Sequence, residues 1–170
     1  MSTSLPHEAF AGLVDRHRGI LLKVAGAYCR DATDREDLIQ EIVVQLWRAV
    51  RRFDGRSTFS TWMYRIAVNV AIAFCRSDDR KRRNVVPAEA SLLEGIAAPE
   101  PPPEDDRLVC LRELIDRLEP LDRALMLFYL DDYSYGEIAS MLGISETNVG
   151  TKIGRIKERF KRTLAAERRP

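Results

Sequence analysis

The sequence predicts an all-α protein with two small helical domains joined by an extended, acidic, proline-rich linker. Apolar residues recur with helical spacing over most of the 170 residues, and no segment alternates apolar and polar residues as a half-buried strand does. The linker is predicted at 84–106, where five prolines and six carboxylates without a basic residue disfavour both a continuous helix and collapse. The predicted domains are therefore 1–83 and 107–170.

Two helices are predicted at the start of the chain. The first begins near Pro6, a residue suited to the first helical turn, and ends at about Cys29. The second opens with a capping-box pattern, in which Thr33 is followed three residues later by Glu36. Its apolar residues then recur every third or fourth position until the turn at 53–55, so this helix is amphipathic.

A third helix is predicted from about Thr61 to Arg76, after a polar loop at 56–60. Beside its apolar face runs a second stripe with helical spacing, made of Trp62, Arg65, Asn69, Ile72 and Arg76. An aromatic ring can stack on an unpaired base, Arg attracts phosphate, and Asn can read a base edge. This composition favours single-stranded DNA, although a Trp at the start of a helix is also commonly part of a core.

The second half predicts a helix-turn-helix unit. Its helices are expected at about 107–118, 120–130, 134–142 and 145–166. Ser134 and Glu137 form a capping box for the third of these, and Ser145 caps the fourth. Gly143 lies at the turn between them, where a left-handed conformation suits only glycine without strain. Such a unit places its second helix in the major groove of DNA.

The last helix carries residues suited to duplex DNA on the side away from its apolar face. Short polar side chains at its start can reach base edges, and the basic side chains that follow suit phosphates. The residues assigned to this interface are Ser145, Thr147, Asn148, Thr151, Lys152, Arg155, Lys157 and Arg159. The inward face is expected to hold Val149, Ile153, Ile156, Phe160 and Leu164. The alternative is a solvated amphipathic helix within a bundle.

The helix at 120–130 is apolar on nearly all sides. One side can complete the core of the helix-turn-helix unit. The remaining side, which includes Met126 and Tyr129, faces either a protein partner or the helix at 107–118. The sequence does not decide between these two.

Charge is unevenly distributed along the chain. Lys and Arg number 27 against 26 Asp and Glu, a net charge of +1. Residues 1–83 carry 15 basic and 10 acidic side chains, 84–106 carry none and 6, and 107–170 carry 12 and 10. Two basic bodies joined by an acidic segment indicate a polyanionic partner.

Cysteine and histidine positions argue against a metal site or a disulfide framework. The three cysteines and two histidines are widely spaced, at Cys29, Cys75, Cys110, His7 and His17. We also find no nucleophile–base pair and no phosphate-binding glycine loop, so we predict no cofactor, no metal and no enzymatic activity. Without a signal peptide or a long apolar run, the protein is predicted to be cytoplasmic and not to bind membranes.

The two halves together resemble the sigma-70 family of bacterial RNA polymerase initiation factors, specifically its extracytoplasmic-function (ECF) subgroup. Residues 34–47 (DREDLIQEIVVQLW) resemble the helix that binds the polymerase clamp. Residues 53–71 (FDGRSTFSTWMYRIAVNVA) resemble the segment that recognises the minus-ten element. Residues 118–161 resemble region four, which binds the minus-thirty-five element and the polymerase flap.

The resemblance implies partners and site residues. Polymerase-binding residues would be Asp37, Leu38, Gln40, Glu41, Leu46 and Trp47, although the polar members alone could be an ordinary solvated face. Minus-ten residues would be Arg56, Ser57, Thr58, Phe59, Ser60, Trp62, Arg65, Asn69 and Arg76, with the loop capturing a flipped base. Expected partners are core RNA polymerase, promoter DNA in duplex and single-stranded form, and a regulator such as an anti-sigma factor.

Two glycines depart from the family pattern. Gly150 and Gly154 stand in the last helix where the family more often has Lys and a small polar residue. Each costs the helix about 1 kcal/mol and removes a possible DNA contact, which affects minus-thirty-five specificity. The alternative function is a helix-turn-helix regulator that acts without polymerase. Such a protein needs a ligand or receiver domain, and 1–83 lacks the βα alternation of a receiver.

Overall fold

A computed structural model describes residues 7–84 and 106–167 of the chain. The helices are α1 His7–Arg16, α2 Arg18–Tyr28, α3 Ala32–Ala49, α4 Phe59–Asn84, α5 Asp106–Asp116, α6 Pro120–Leu130, α7 Tyr135–Leu142 and α8 Glu146–Glu167, with a 3-10 turn at Val50–Arg52. These two stretches contain no strand, so the all-α prediction is confirmed. Pro6 and all but the end residues of the predicted linker lie outside them.

The single helix predicted at the start of the chain is in fact two. α1 ends at Arg16 and α2 begins at Arg18, because His17 between them has a non-helical backbone (φ −110°, ψ 17°). The turn brings Phe10 of α1 into the same buried cluster as Val24 of α2. No proline marks this break, so apolar spacing alone does not reveal it.

Asp31, and not Thr33, is the N-cap of α3. Its carboxylate accepts hydrogen bonds from the backbone N–H of Thr33 (2.9 Å) and of Asp34 (3.3 Å). These N–H groups have no acceptor within the helix, and a carboxylate also suits the positive end of the helix dipole. The predicted Thr33–Glu36 capping box is therefore wrong, because Thr33 is already inside the first turn.

α4 is longer than predicted at both ends. Thr58 caps its start, since its hydroxyl accepts from the backbone N–H of Thr61 (3.2 Å). The helix continues past Arg76 to Asn84, a stretch that contains neither glycine nor proline. Together α2, α3 and α4 enclose fully buried side chains, namely Val24, Leu38, Ile42, Leu46, Met63 and Val68.

The helix-turn-helix prediction is confirmed in its local details. Ser134 and Glu137 form the predicted capping box at the start of α7, and Gly143 has the left-handed backbone expected of it (φ 69°, ψ 34°). Ser145 caps α8 by accepting from the N–H of Asn148 (3.1 Å). α7 and α8 bury Ile138, Val149 and Ile153 between them and α6.

The second side of α6 is covered by the protein itself. A second buried cluster joins α5, α6 and α8 through Leu114, Leu118, Met126, Ile156 and Phe160. Met126 is therefore a core residue, and α5 is what covers it, which decides between the two alternatives at that position. Leu164 was expected in the core but is 41% exposed, because the buried stripe of α8 ends at Phe160.

The N-terminal half (residues 7–84) and the C-terminal half (residues 106–167) pack directly against each other. One buried cluster runs from α2 and α4 into α6 and α7. At its centre the ring of Tyr64 on α4 meets that of Phe128 on α6 edge-on, with 4.7 Å between centroids. No local sequence pattern predicts this contact, since it joins residues 64 positions apart.

Candidate nucleic-acid interfaces

The stripe predicted on α4 divides into exposed and buried members. Arg65, Asn69 and Arg76 are exposed, whereas Trp62 and Ile72 are only 6% and 7% exposed. The Trp62 ring lies 5.1 Å from the ring of Phe53 and 5.4 Å from that of Phe59, centroid to centroid. Trp62 thus has no open face for stacking on a base, and its assignment to the DNA interface is corrected to the core.

The loop before α4 presents polar groups beside these exposed residues. Arg56, Ser57 and Thr58 are exposed, whereas Phe59 and Ser60 are half-buried. The Arg56 guanidinium pairs with the Asp54 carboxylate (Nε to Oδ2, 3.1 Å), and the Thr58 and Ser60 hydroxyls lie 3.0 Å apart. The loop can therefore offer hydroxyls and one cation to a ligand, while Phe59 anchors it against the rings of Phe53 and Trp62.

The polar face of α3 is exposed, as a partner surface requires. Asp37, Gln40 and Glu41 are exposed, and Trp47 is 40% exposed with one edge against the ring of Phe10. The two leucines assigned to the same interface, Leu38 and Leu46, have no exposed surface. Their assignment to polymerase contact is corrected, because they hold α3 in the core and cannot touch a partner.

A groove of about 890 Å³ brings the α3 and α4 residues together. Its walls include Asp37, Gln40 and Glu41 from α3 and Asn69 from α4. The residues assigned to polymerase and to the minus-ten element thus border one concave surface. The sequence alone did not indicate that they are neighbours.

The exposed face of α8 contains most of the residues assigned to duplex DNA. Exposed are Ser145, Thr147, Asn148, Thr151, Arg155, Lys157 and Arg159. Lys152 is instead half-buried and pairs with Asp122 of α6 (3.0 Å), so in this structure it links α8 to α6. The Lys157 ammonium donates to the Tyr129 hydroxyl (3.1 Å), and this hydrogen bond raises the pKa of Lys157 and keeps it cationic.

Tyr135 is a neighbour of α8 that sequence reasoning missed. A Cβ at Gly150 would stand 3.4 Å from the Tyr135 ring, an ordinary van der Waals distance, so this ring lies against α8. At Gly154 a Cβ would meet nothing within 4 Å.

Asp131 is a second feature that sequence reasoning missed. It follows α6 and accepts a hydrogen bond from the Tyr64 hydroxyl of α4 (2.8 Å), and it also forms an ion pair with Lys23 of α2. Burial, reinforced by the hydrogen bond to Asp131, raises the pKa of Tyr64, so its hydroxyl stays protonated at neutral pH. One carboxylate of the C-terminal half thus binds two groups of the N-terminal half.

Arg123 of α6 forms a neighbouring connection. Its guanidinium donates to the backbone carbonyl of Ala27 (2.9 Å) and to that of Asp116 (2.6 Å), and it lies 5.3 Å from the Tyr28 ring centroid. Tyr28 in turn donates its hydroxyl to the carbonyl of Pro120 (2.8 Å), and burial raises its pKa. These bonds join α2 to the start of α6.

Asn69, the residue assigned to read a base edge, is engaged across the same contact. Its side-chain amide donates to the backbone carbonyl of Met141 in α7 (3.4 Å). The first helix of the helix-turn-helix unit therefore lies beside the α4 stripe, although the Asn69 side chain stays exposed.

The chemistry of these surfaces is that of binding. Hydroxyls, amides, cations and partly exposed aromatic rings line them. In the stretches 7–84 and 106–167 no group of His, Cys, Asp and Glu is arranged to hold a metal. No helix in the described part of the chain combines the length and the apolar character that crossing a membrane requires.

Comparison with known proteins gives two family matches in the same order as the two halves. The model of sigma-70 region 2 matches residues 13–81, and that of sigma-70 region 4 matches residues 108–160. The ECF RNA polymerase sigma-E factor of Escherichia coli (strain K12) is 31% identical over 161 residues, which cover 89% of this chain and 84% of that protein. The chain spans 60% of the length of the ECF RNA polymerase sigma factor SigE of Mycolicibacterium smegmatis, to which it is 30% identical over 159 residues.

Two solved structures have the same fold. CnrH of Cupriavidus metallidurans is a sigma factor 30% identical over 169 residues, covering 94% of this chain and 88% of that protein. Its structure with the cytosolic domain of CnrY matches 95% of this chain and 90% of that one, with a TM-score of 0.64 and 25% identity. The sigma factor RpoE of Bartonella quintana, solved with the anti-sigma factor NepR, has a TM-score of 0.70 at 19% identity, covering 94% and 98% of the two chains.

Proposed function

This chain belongs to the sigma-70 family of RNA polymerase sigma factors, and we propose that it acts as an ECF-type initiation factor. It binds core RNA polymerase, recognises the minus-thirty-five and minus-ten promoter elements, and promotes DNA opening. The observation that carries this function is the presence of both sigma regions in the family order, at 13–81 and 108–160. The role is one of binding and not of catalysis.

The proposed polymerase contact is the exposed face of α3. Asp37 and Glu41 supply negative charge, Gln40 supplies hydrogen bonds, and Trp47 supplies a partly exposed ring of the kind that anchors protein interfaces. A second contact, with the flap, is proposed for residues 107–170. The groove there between α5 and α8 is lined by Leu111, Leu164 and other apolar side chains, and it supports this assignment.

The proposed minus-thirty-five interface is the start and exposed flank of α8. Thr147, Asn148 and Thr151 precede Arg155 along this surface, and all four are exposed. Helix-turn-helix proteins contact base edges with the N-terminal residues of this helix. The basic residues Lys157 and Arg159 further along suit phosphates.

The proposed minus-ten interface joins the loop at 56–60 to the exposed members of the α4 stripe. Arg65 and Arg76 supply positive charge for the strand backbone, and Asn69 supplies an amide for a base edge. Phe59 and Trp62 support this surface from the core. The domain division at 1–83 and 107–170 follows the two interfaces.

We further propose that a regulator such as an anti-sigma factor controls this chain and that it acts in the cytoplasm without binding membranes. Both solved relatives were determined with a protein partner, which supports a regulator of this kind. Transcription from genomic promoters requires access to the DNA, which supports the compartment.

The test is reconstitution with core RNA polymerase. The chain should co-elute with core polymerase and direct run-off transcription from a subset of a randomised promoter library. Core polymerase alone is the control. If the chain bound duplex promoters without polymerase and did not co-elute with polymerase, it would be a helix-turn-helix regulator instead.

A further inference from the structure

A cavity between α2, α3, α5 and α6 has no part in the proposed polymerase and promoter contacts. Its volume is about 610 Å³, within the range of sites that bind small molecules. One wall comes from α2 and the start of α3, and the other comes from α5 and Leu127 of α6. We call it the α2–α5 cavity.

The α2–α5 cavity is basic. Four of its lining side chains are cations, namely Lys23, Arg30, Arg35 and Arg112, and one, Asp116, is a carboxylate. The groove between α3 and α4, by contrast, is lined by two carboxylates and by no cation. A cleft lined mainly by one sign of charge concentrates ions of the opposite sign. The expected ligand is therefore an anion.

The cations are only partly neutralised by the protein. Lys23 bonds to Asp131, and the Arg30 guanidinium pairs with Asp116 at 3.5 Å (Nη2 to Oδ2). In the described stretches no carboxylate pairs with Arg35, whose Nε donates to a backbone carbonyl at 2.8 Å. That hydrogen bond holds the guanidinium in place without cancelling its charge. Guanidinium groups match the geometry of phosphate oxygens, so phosphate is the anion that this cavity suits best.

The same cavity has an apolar side. Leu22 of α2 is 54% exposed, and it lines the cavity together with the half-buried Ile115 of α5 and the buried Leu127 of α6. An inorganic anion gains nothing from such a surface, whereas an apolar or aromatic group is stabilised by leaving water for it. The lining thus fits a molecule with two chemically different ends.

We propose that the α2–α5 cavity binds a small phosphorylated molecule with an aromatic or apolar part, of which a nucleotide is the simplest example. Its phosphates contact Arg30, Arg35 and Arg112, and its other end contacts Leu22 and Ile115. Nucleic acid fits less well, because proteins bind a strand along a groove that follows its backbone, whereas these cations line one cavity. The inference is independent of the proposed function, since it involves neither polymerase nor promoter DNA.

Isothermal titration calorimetry of the full chain with ATP and with GTP tests the site. Arg35→Gln and Arg112→Gln each remove one cation, and circular dichroism should show unchanged helicity because both side chains are exposed. A hydrogen bond to a charged group contributes about tenfold in affinity, so each variant should weaken binding about tenfold. The matched control is Arg117→Gln, at an exposed position just after α5 that does not line the cavity. It should bind like the wild type.

Two results of this titration would overturn the proposal. One is the absence of binding by the wild type to either nucleotide at concentrations up to about 1 mM, the upper end of the usual range for cellular ligands. The other is an equal loss of affinity in Arg117→Gln, because the attraction would then depend on net charge and not on the cavity.

Inorganic triphosphate and adenosine test the two ends of the ligand separately. Each carries only one of the two parts, so each should bind more weakly than ATP. Leu22→Ser should weaken ATP binding several-fold and leave triphosphate binding unchanged, since it removes apolar surface and no charge. Triphosphate binding as tight as that of ATP would reject the proposed ligand class.

Single-stranded DNA of about 12 nucleotides distinguishes a nucleotide site from a nucleic-acid surface. We expect its affinity to be the same for Arg35→Gln, Arg112→Gln and the control Arg117→Gln. If DNA binding fell about tenfold in the first two variants while ATP binding did not, these cations would belong to a nucleic-acid interface and the proposal would be wrong.

Discussion

The two helices assigned to promoter DNA, α4 and α8, differ in what else their assigned residues do. On α8 the assigned side chains are exposed, apart from Lys152, and the opposite side of the helix packs on α6 and α7. α4 is a central helix that packs on α2, α3, α6 and α7, and there Trp62 is core and Asn69 bonds to the other half. A substitution on α8 therefore reports binding alone, whereas one on α4 mixes binding with packing.

The largest effect is expected at the surface beside α4, on α3. Replacing Asp37 and Glu41 together with Lys should abolish co-elution with core polymerase, because removing one member of a buried interfacial charge pair already costs about 2–5 kcal/mol. Helicity should not change, since both side chains are exposed. The control is Glu8→Lys with Asp15→Lys on α1, the same charge change at two other exposed positions. Co-elution equal to the control would remove the α3 face from the interface.

Trp62→Ala tests whether this residue of α4 stabilises the core. Truncating a buried aromatic side chain of this kind costs about 3–5 kcal/mol, so urea unfolding should shift accordingly. The exposed Trp47→Ala serves as the control and should cost much less. If Trp62→Ala kept wild-type stability and lost only DNA binding, Trp62 would be a stacking residue after all.

Arg155→Ala tests whether a substitution on α8 changes DNA binding without changing stability. Binding to the upstream element should weaken by about 1–3 kcal/mol if the guanidinium contacts a base, with stability unchanged. If it contacts only phosphate, the loss should be similar for all sequences and the salt dependence shallower. Arg117→Ala, at the exposed position just after α5, removes the same charge elsewhere as a control. Unchanged affinity together with unchanged salt dependence would exclude Arg155 from the interface.

Asn69→Ala tests whether this residue of α4 takes part in opening the minus-ten element. Losing one hydrogen bond to a base costs about 0.5–1.5 kcal/mol, so open-complex formation on a duplex promoter should fall several-fold. On a template mismatched over the minus-ten element, part of the lost open-complex formation should be restored, because the cost of unpairing is gone. Permanganate footprinting of the complex with polymerase measures both. Wild-type thymine reactivity on the duplex promoter would refute this site.

The smallest effect, a gain in stability, is expected at Gly154. Gly154→Ala should raise the free energy of unfolding by up to about 1 kcal/mol, because the new Cβ meets no neighbour and alanine favours the helix. Gly150→Ala is the matched comparison and should gain at least as much, since its Cβ would meet the Tyr135 ring at 3.4 Å, an ordinary van der Waals distance. Thermal unfolding of both variants checks the order. A loss of stability at Gly150 would contradict the described contact with Tyr135.

Features with a local cause could be predicted from the sequence, and features with a distant cause could not. Ser134, Glu137 and Gly143 act within one helical turn, so their residue types alone indicated the cap and the turn. The α3 cap was missed because Asp31 and Thr33 are both good caps two residues apart, and only backbone geometry chooses between them.

The same distinction explains the errors within the candidate site. Helical spacing put Trp62 and Asn69 on one stripe, but the burial of Trp62 depends on Phe53 and the hydrogen bond of Asn69 depends on α7, neither of which a periodicity on α4 describes. Leu38 and Leu46 were assigned to a partner by family resemblance, although their place in the apolar stripe of α3 already favoured the core. The bonds to Asp131 join residues distant in sequence and had no local signal.

The two tryptophans of the chain lie in different environments, which can be detected by fluorescence. Trp62 is enclosed by aromatic rings in the core, whereas Trp47 stands 40% exposed on the proposed polymerase face. Their intrinsic fluorescence should therefore contain a blue-shifted component that iodide quenches weakly and a red-shifted one that it quenches well. The protein carries its own optical reporter of complex formation, since docking on α3 would shield the second emitter and leave the first as an internal standard.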